Sequence, residues 1–154
     1  MAAPSRDPNP GVRLRGHHLL CVFGFRGLGY DPAHAAHMAG VVRRLLTPAA
    51  AVEIVAGLDD ICAGCPRRHS ARCVTAEHER DLAALAAAGM AVGRVEPAAT
   101  LFPAVAERVA AGDLAGLCAG CPWYDLGVCA AGLAAGRVAA GWEGAASACV
   151  AGGG

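Results

Sequence analysis

The sequence predicts an α+β fold, mainly helical, in a single small domain with duplicated cysteine-loop and helix units and a minor sheet of two or so short strands. Three observations predict it. One cysteine pattern occurs twice, and each copy leads into a stretch of helical character. Helix start and stop signals bracket several apolar-periodic segments. Only two short β-branched runs, at 52–55 and 92–95, interrupt them. A chain of 154 residues, 55% hydrophobic, is long enough to bury a core of its own.

In chain order, residues 1–11 read as a flexible N-terminal arm. The cysteine-rich domain spans 12–143, and 144–154 form a flexible Gly-rich tail. Residues 12–25 combine histidines with apolar residues; on a helix His17 and Cys21 share a face, with His18 close to it. A loop follows at 27–30. Asp31 and Pro32 then start a helix, as N-cap and first helical residue, that runs to about Leu46. Val41, Val42, Leu45 and Leu46 are its expected inner side, Arg43 and Arg44 its outer one. His34 and His37 are expected as an exposed pair.

Thr47-Pro48 ends that helix, a strand follows at 52–55, and Asp59-Asp60 turns the chain into the first cysteine copy. Thr75 is positioned to cap the next helix, with Leu82 and Leu85 on its apolar face and Gly89 at its end. After the strand at 92–95, a helix is expected from Thr100 to Ala111, with Pro103 in its first turn. A final Ala-rich helix follows Cys129.

The two copies are Cys62, Cys65, Cys73 and Cys118, Cys121, Cys129, both C-x2-C-x7-C, with Ala-Gly inside and a proline after the second cysteine. Two cysteines flanking two residues aim both sulfurs at one point if the chain turns tightly. Gly64 and Gly120 offer the positive φ that such a turn often needs. Pro66 and Pro122 push Cys65 and Cys121 into extended backbone. Backbone N–H groups around the turn then point at the sulfurs. Inert buried cysteine does not explain a duplicated pattern. A thioredoxin-like dithiol has no use for a third cysteine and wants a βαβ context, which neither copy presents.

The order of Arg15-Gly16-His17-His18-Leu19-Leu20-Cys21, Gly29-Tyr30, Asp59-Asp60-Ile61-Cys62 and Cys118-x-x-Cys121-Pro122-Trp123 resembles a family of small prokaryotic, bacterial-type proteins of unknown function, thought from their cysteines to bind an iron–sulfur cluster. The likeness covers residues 12 to about 138. It implies Cys21, Cys62, Cys73, Cys118, Cys121 and Cys129 as ligands and leaves Cys65 to the spacing argument alone. It implies no particular reaction.

The candidate ligands are therefore Cys21, Cys62, Cys65, Cys73, Cys118, Cys121 and Cys129, with His17 and His18 beside them. Cys149 lies in the tail and is not relied on. A 4Fe-4S cluster is favoured, because cubanes take thiolates and a cysteine followed by proline recurs in ferredoxin motifs. Zinc is the alternative. Two three-cysteine sites, one completed by Cys21, use every internal cysteine. The second site needs a histidine, Cys149 or an open position, and a single shared centre is the other arrangement. Arg67, Arg68, His69 and Arg72 surround the first copy; Trp123, Tyr124 and Asp125 surround the second.

Composition narrows the function. Thirteen basic and thirteen acidic residues balance, so bulk attraction to nucleic acid is not expected. With no lysine, Schiff-base chemistry, a Walker lysine and a pyridoxal-phosphate anchor are absent. The N-terminus lacks the apolar run of a signal peptide, and no stretch has the length of a membrane span. The expectation is a cytoplasmic iron–sulfur protein in electron transfer or redox sensing, with a redox protein as partner. The alternatives are a zinc-stabilised interaction module and a cluster-containing enzyme with an open coordination position. No catalytic residue and no oligomeric state is assigned.

Overall fold

The chain enters the fold as a strand. Val12–Leu14 (β1) pairs in parallel with Ala51–Ile54 (β2), matching Val12 to Val52 and Leu14 to Ile54. Val95–Pro97 (β3) pairs antiparallel on the other side of β2, giving the order β1-β2-β3. The alternation is that of a half-buried sheet: Val12, Leu14, Val52 and Ile54 face the core, while Arg13 and Glu53 face out. The computed structural model describes residues 11–27, 29–47, 49–68, 70, 73, 77–119, 121 and 126–138. The expected N-terminal arm up to residue 10, the Gly-rich tail, Thr75, His69, Arg72, Gly120 and the stretch 122–125 lie outside them.

A parallel pair needs a crossover. Here it comprises the short helix His18–Cys21 (α1), a 3-10 turn over Val22–Gly24 and the helix Pro32–Leu45 (α2). The first cysteine copy thus follows a β1–α–β2 unit, contrary to the expectation that no such context surrounds it. Asp31 caps α2 by accepting a hydrogen bond from His34 N at 2.7 Å. Val41, Val42 and Leu45 are buried as expected, but Leu46, past the last helical turn, is exposed.

The remaining helices are Glu77–Ala88 (α3), Ala98–Arg108 (α4), Leu114–Leu117 (α5) and Val128–Ala135 (α6). The α4 helix starts two residues before Thr100, so Pro103 sits beyond the first turn. The α6 helix contains Cys129 rather than following it. In α3, Asp81, Ala84, Leu85 and Ala88 form the buried face, at i, i+3, i+4 and i+7; Leu82 lies off it and is exposed. The core joins Leu14, Leu19, Phe23, Val42, Ile54, Leu101, Val105 and Leu114, with Phe23 and Phe102 packed edge to face at 5.7 Å. The result is the mainly helical α+β domain with a minor sheet that the sequence predicts, the sheet having three short strands. No helix among the described residues is long and apolar enough to cross a membrane.

Candidate metal centre

Cys21 ends α1, and the backbone of α6 lies against the turn that follows it. A Cβ on Gly132 would stand 1.8 Å from the Phe23 carbonyl oxygen, and one on Gly24 would stand 2.7 Å from the Cys129 sulfur. Only glycine at both positions allows this approach, which brings Cys129 up to Cys21. The second copy is fixed from the other side by Arg80 of α3. Its guanidinium donates to the Ala119 carbonyl at 2.7 Å and the Leu117 carbonyl at 3.4 Å, and pairs with Glu77 at 2.7 Å.

Three separate segments therefore place Cys21, Cys118, Cys121 and Cys129 together. Burial, and then the neighbouring Cys129, Cys121 and Cys118, pushes the Cys21 thiol well above its ordinary range. Burial, and then Cys118 and Cys121, push Cys129 up to about 12. Arg26 opposes this at Cys129, and Arg80 opposes it at Cys21 and Cys118. The Nη1 of Arg26 is buried with no hydrogen-bond partner among the described residues. A buried donor left unmatched beside a thiol suits an anion that the thiol helps to hold. All seven described cysteines are free thiols.

The first copy is built differently. Arg15 is 1% exposed, yet every edge of it is used. Its N–H donates to Asp59 Oδ2 at 2.7 Å, Nε to Asp81 Oδ2 at 2.7 Å, Nη1 to Cys62 Sγ at 3.6 Å and Nη2 to the Cys73 carbonyl at 3.0 Å. One guanidinium thus ties the beginning of the copy to its end. Asp59, expected as a turn residue, is buried. It accepts from Arg15 N, from Cys62 N at 2.9 Å and from His18 Nδ1 at 2.7 Å. Burial alone would raise its carboxyl. The His18 ring and these three hydrogen bonds outweigh burial and hold it well below the usual carboxylate range.

His17 is held the same way. Its backbone N–H and its Nδ1 donate to Asp81 Oδ1 at 3.0 and 2.5 Å. Burial and then the His18 ring, 4.3 Å away between centroids, push His17 down to about 4 in spite of Asp81. At neutral pH it is an uncharged ring that donates from Nδ1.

Cys65 leaves its turn extended, at φ −87° and ψ 130°, as Pro66 requires. Its sulfur accepts from Arg67 N at 3.4 Å, the N–H-to-sulfur contact expected of the loop. Gly64 does not use a positive φ. Its role is close approach, since a Cβ there would lie 2.3 Å from the His37 ring. His34 and His37 are not an exposed pair: His34 is buried and its Nδ1 accepts from Tyr30 N at 3.0 Å, while His37 Nε2 meets the Asp60 carbonyl at 2.7 Å.

A cavity of about 440 Å³ lies between the copies and is lined by His17, His18, Cys21, Cys62, Cys65, Cys73 and Cys121 among others. Among the described residues, the donor atoms of His18, Asp59 and Cys62 lie within 4.8 Å of one another, and no three cysteine sulfurs do. Cys21 has Cys118, Cys121 and Cys129 as neighbours, while Cys62, Cys65 and Cys73 share the lining of the cavity with Cys21 and Cys121. Sequence reasoning missed Arg15, Arg26, Asp59, Arg80 and Asp81. Asp59 had a signal, since an aspartate three residues before a turn residue is placed to cap its N–H.

The chain belongs to the family described as Protein of unknown function (DUF1284), whose model matches residues 29–127. No curated protein and no solved structure matches it.

Proposed function

We propose that this member of the family is an iron–sulfur protein of electron transfer or redox sensing, with its cluster on Cys21, Cys118, Cys121 and Cys129. The observation that carries the reading is the set of three thiols gathered around Cys21 from distant parts of the chain. A closed tetrahedral zinc site, with Zn–S of about 2.3 Å, holds its sulfurs roughly 3.8 Å apart. No three of these sulfurs, among the described residues, come within 4.8 Å of one another. A cubane carries its thiolates at the corners of a wider body and fits that spacing better.

The cluster, when bound, supplies a one-electron couple. The chain's own residues do the rest. The four thiols give up their protons to become ligands. Arg26 and Arg80 place positive charge next to Cys129, Cys21 and Cys118, which favours the anionic form. Phe25, Met38 and Val128 line a small recess of about 50 Å³ beside Cys21 and Cys129 and keep that side apolar. A redox protein is the partner class this reading implies, in the cytoplasm.

Anaerobic purification followed by iron, sulfide and zinc analysis tests it. The expected product is brown, with iron and acid-labile sulfide in equal amounts. A colourless protein with zinc in place of iron at these cysteines overturns the reading.

The large cavity favours a second reading, a cluster-containing enzyme. It reaches Cys21 and Cys121 and brings His17 and His18 beside them. Cyanide or a small carboxylate that perturbs the cluster's spectrum supports this reading; a spectrum unchanged by both leaves the carrier.

A further inference from the structure

Arg26 stands apart from the other arginines around the cysteines. We propose that it sets the reduction potential of the cluster, by keeping a buried N–H donor and an uncancelled positive charge beside Cys129. The role rests on the cluster reading above and names what tunes that same site.

Position comes first. Arg26 follows the 3-10 turn over Val22–Gly24, with Phe25 between them in extended backbone at φ −61° and ψ 131°. That turn is pressed against α6, since a Cβ on Gly24 would stand 2.6 Å from the Cys129 backbone. The stretch that carries Arg26 is therefore fixed beside Cys129. Arg26 lines the recess of about 50 Å³ together with Cys21, Cys129, Phe25, Met38 and Val128. Its charge opposes the rise of the Cys129 thiol, so it acts where that sulfur lies.

Hydrogen bonding comes next. The Arg26 side chain is half-buried, but its Nη1 is sealed from solvent and has no partner among the described residues. The other guanidiniums are engaged. Arg15 is matched by Asp81, and Arg80 by Glu77 and by the carbonyls of Leu117 and Ala119. No carboxylate among the described residues pairs with Arg26. Water is a poor substitute, because the recess offers mostly apolar walls and thiols, and His34 already accepts Tyr30 N at its Nδ1. Buried donors are nearly always matched, and one left open beside a ligand set points to a group that the ligands bring.

Charge decides the direction. One electron passes from the redox partner to the cluster, and with four thiolates the centre goes from a dianion to a trianion. No bond breaks and no proton moves. In an apolar setting a positive charge acts on the added negative charge with little screening, so it favours the reduced form. Hydrogen bonds to sulfur and net charge are the levers by which a protein moves such potentials. Arg26 thus raises the potential.

Redox titration of full-length protein, purified anaerobically and followed by visible absorption, tests this. Arg26→Met should keep wild-type iron and sulfide, because Arg26 is not a ligand, and its midpoint should fall. The expected fall makes the reduced-to-oxidised ratio about tenfold smaller at a fixed potential, ~59 mV for one electron. Arg26→Lys, which keeps the charge, should recover more than half of it. Arg26→Gln, neutral but still a donor, should fall part of the way, and carries the test if the methionine variant loses its cluster. Metal-free Arg26→Met should melt no lower than the wild type, since it removes a stranded donor. A midpoint unmoved or raised in the neutral variants at full cluster content overturns the role of Arg26 and leaves the cluster standing. Loss of the cluster from all three variants, with lower melting of the metal-free proteins, makes Arg26 a structural residue and overturns it too. Wild-type protein that holds no iron and sulfide overturns the cluster and the role together.

Discussion

Arg15 Nε lies 2.7 Å from Asp81 Oδ2, with both side chains almost wholly buried, and the pair joins the residue that follows strand β1 to helix α3 across 66 positions of sequence. The same arginine reaches Cys62 and Cys73, and the same aspartate holds His17. The ion pair is therefore a structural member of the centre as well as of the fold.

Breaking one side of a buried pair strands the other charge. Asp81→Ala should cost about 3–5 kcal/mol in urea unfolding. Replacing both partners, in Arg15→Met with Asp81→Leu, should recover more than half of that loss. Equal destabilisation by the single and the double substitution would show that the charges themselves contribute little.

The contact of α6 with the turn after Cys21 leaves no room for a methyl group. Gly132→Ala should destabilise the protein by about 2 kcal/mol, because the Phe23 carbonyl cannot yield without moving the backbone. That corresponds to a fall of roughly 4–8 °C in the melting midpoint. Iron content should fall with it, since Cys129 rides on the same helix. An unchanged midpoint would mean that the two segments pack less closely than described.

Acid should loosen the metal-free protein before its carboxylates titrate. The His17 ring is held at about 4, below its ordinary 6.5, so the unfolded chain binds that proton more readily. Its contribution is complete above pH 6.5 and is lost as pH falls towards 4, by up to about 3 kcal/mol. Asp59 and Asp81, held below the usual carboxylate range, add their losses only at lower pH. The urea midpoint of the wild type should fall steadily between these limits, and His17→Gln should flatten that slope. A slope unaffected by the substitution would remove His17 as its cause.

Two thiols should be slow to alkylate in the metal-free state. Burial, then Asp59 for Cys62 and Cys118 for Cys129, pushes both up to about 12. At pH 8 their reactive fraction is on the order of 10³ lower than that of an ordinary cysteine. Mass spectrometry after a short iodoacetamide pulse should find Cys62 and Cys129 unmodified, with labelling that rises as pH is raised. Fast labelling of either would show that it ionises near its usual value.

Local chemistry made part of this legible in the sequence. Asp31-Pro32 marks the start of α2 because a cap and a fixed φ act within three residues. The repeated cysteine pattern marks both loops, and Pro66 sets Cys65. What escaped depends on distant partners. Three residues of β1 are too short for a period, and their pairing with β2 is settled across the α2 crossover. Nothing in α3 singles out Asp81 as an inner residue; Arg15 makes it one, and turning that face inward leaves Leu82 exposed. His34 and His37 read as surface because the partners of His37 and of the α2 core come from elsewhere in the chain. The grouping of Cys21 with the second copy depends on Gly24 and Gly132, whose meaning appears only when the two segments meet.

The most direct test is the acid-labile sulfide content of Cys21→Ser beside the wild type, both purified anaerobically and both confirmed as folded. With Cys21 a ligand from outside the repeated loops, the variant should carry a small fraction of the wild-type sulfide and lose its brown colour. Sulfide and iron at wild-type levels in Cys21→Ser would contradict a centre gathered around that residue.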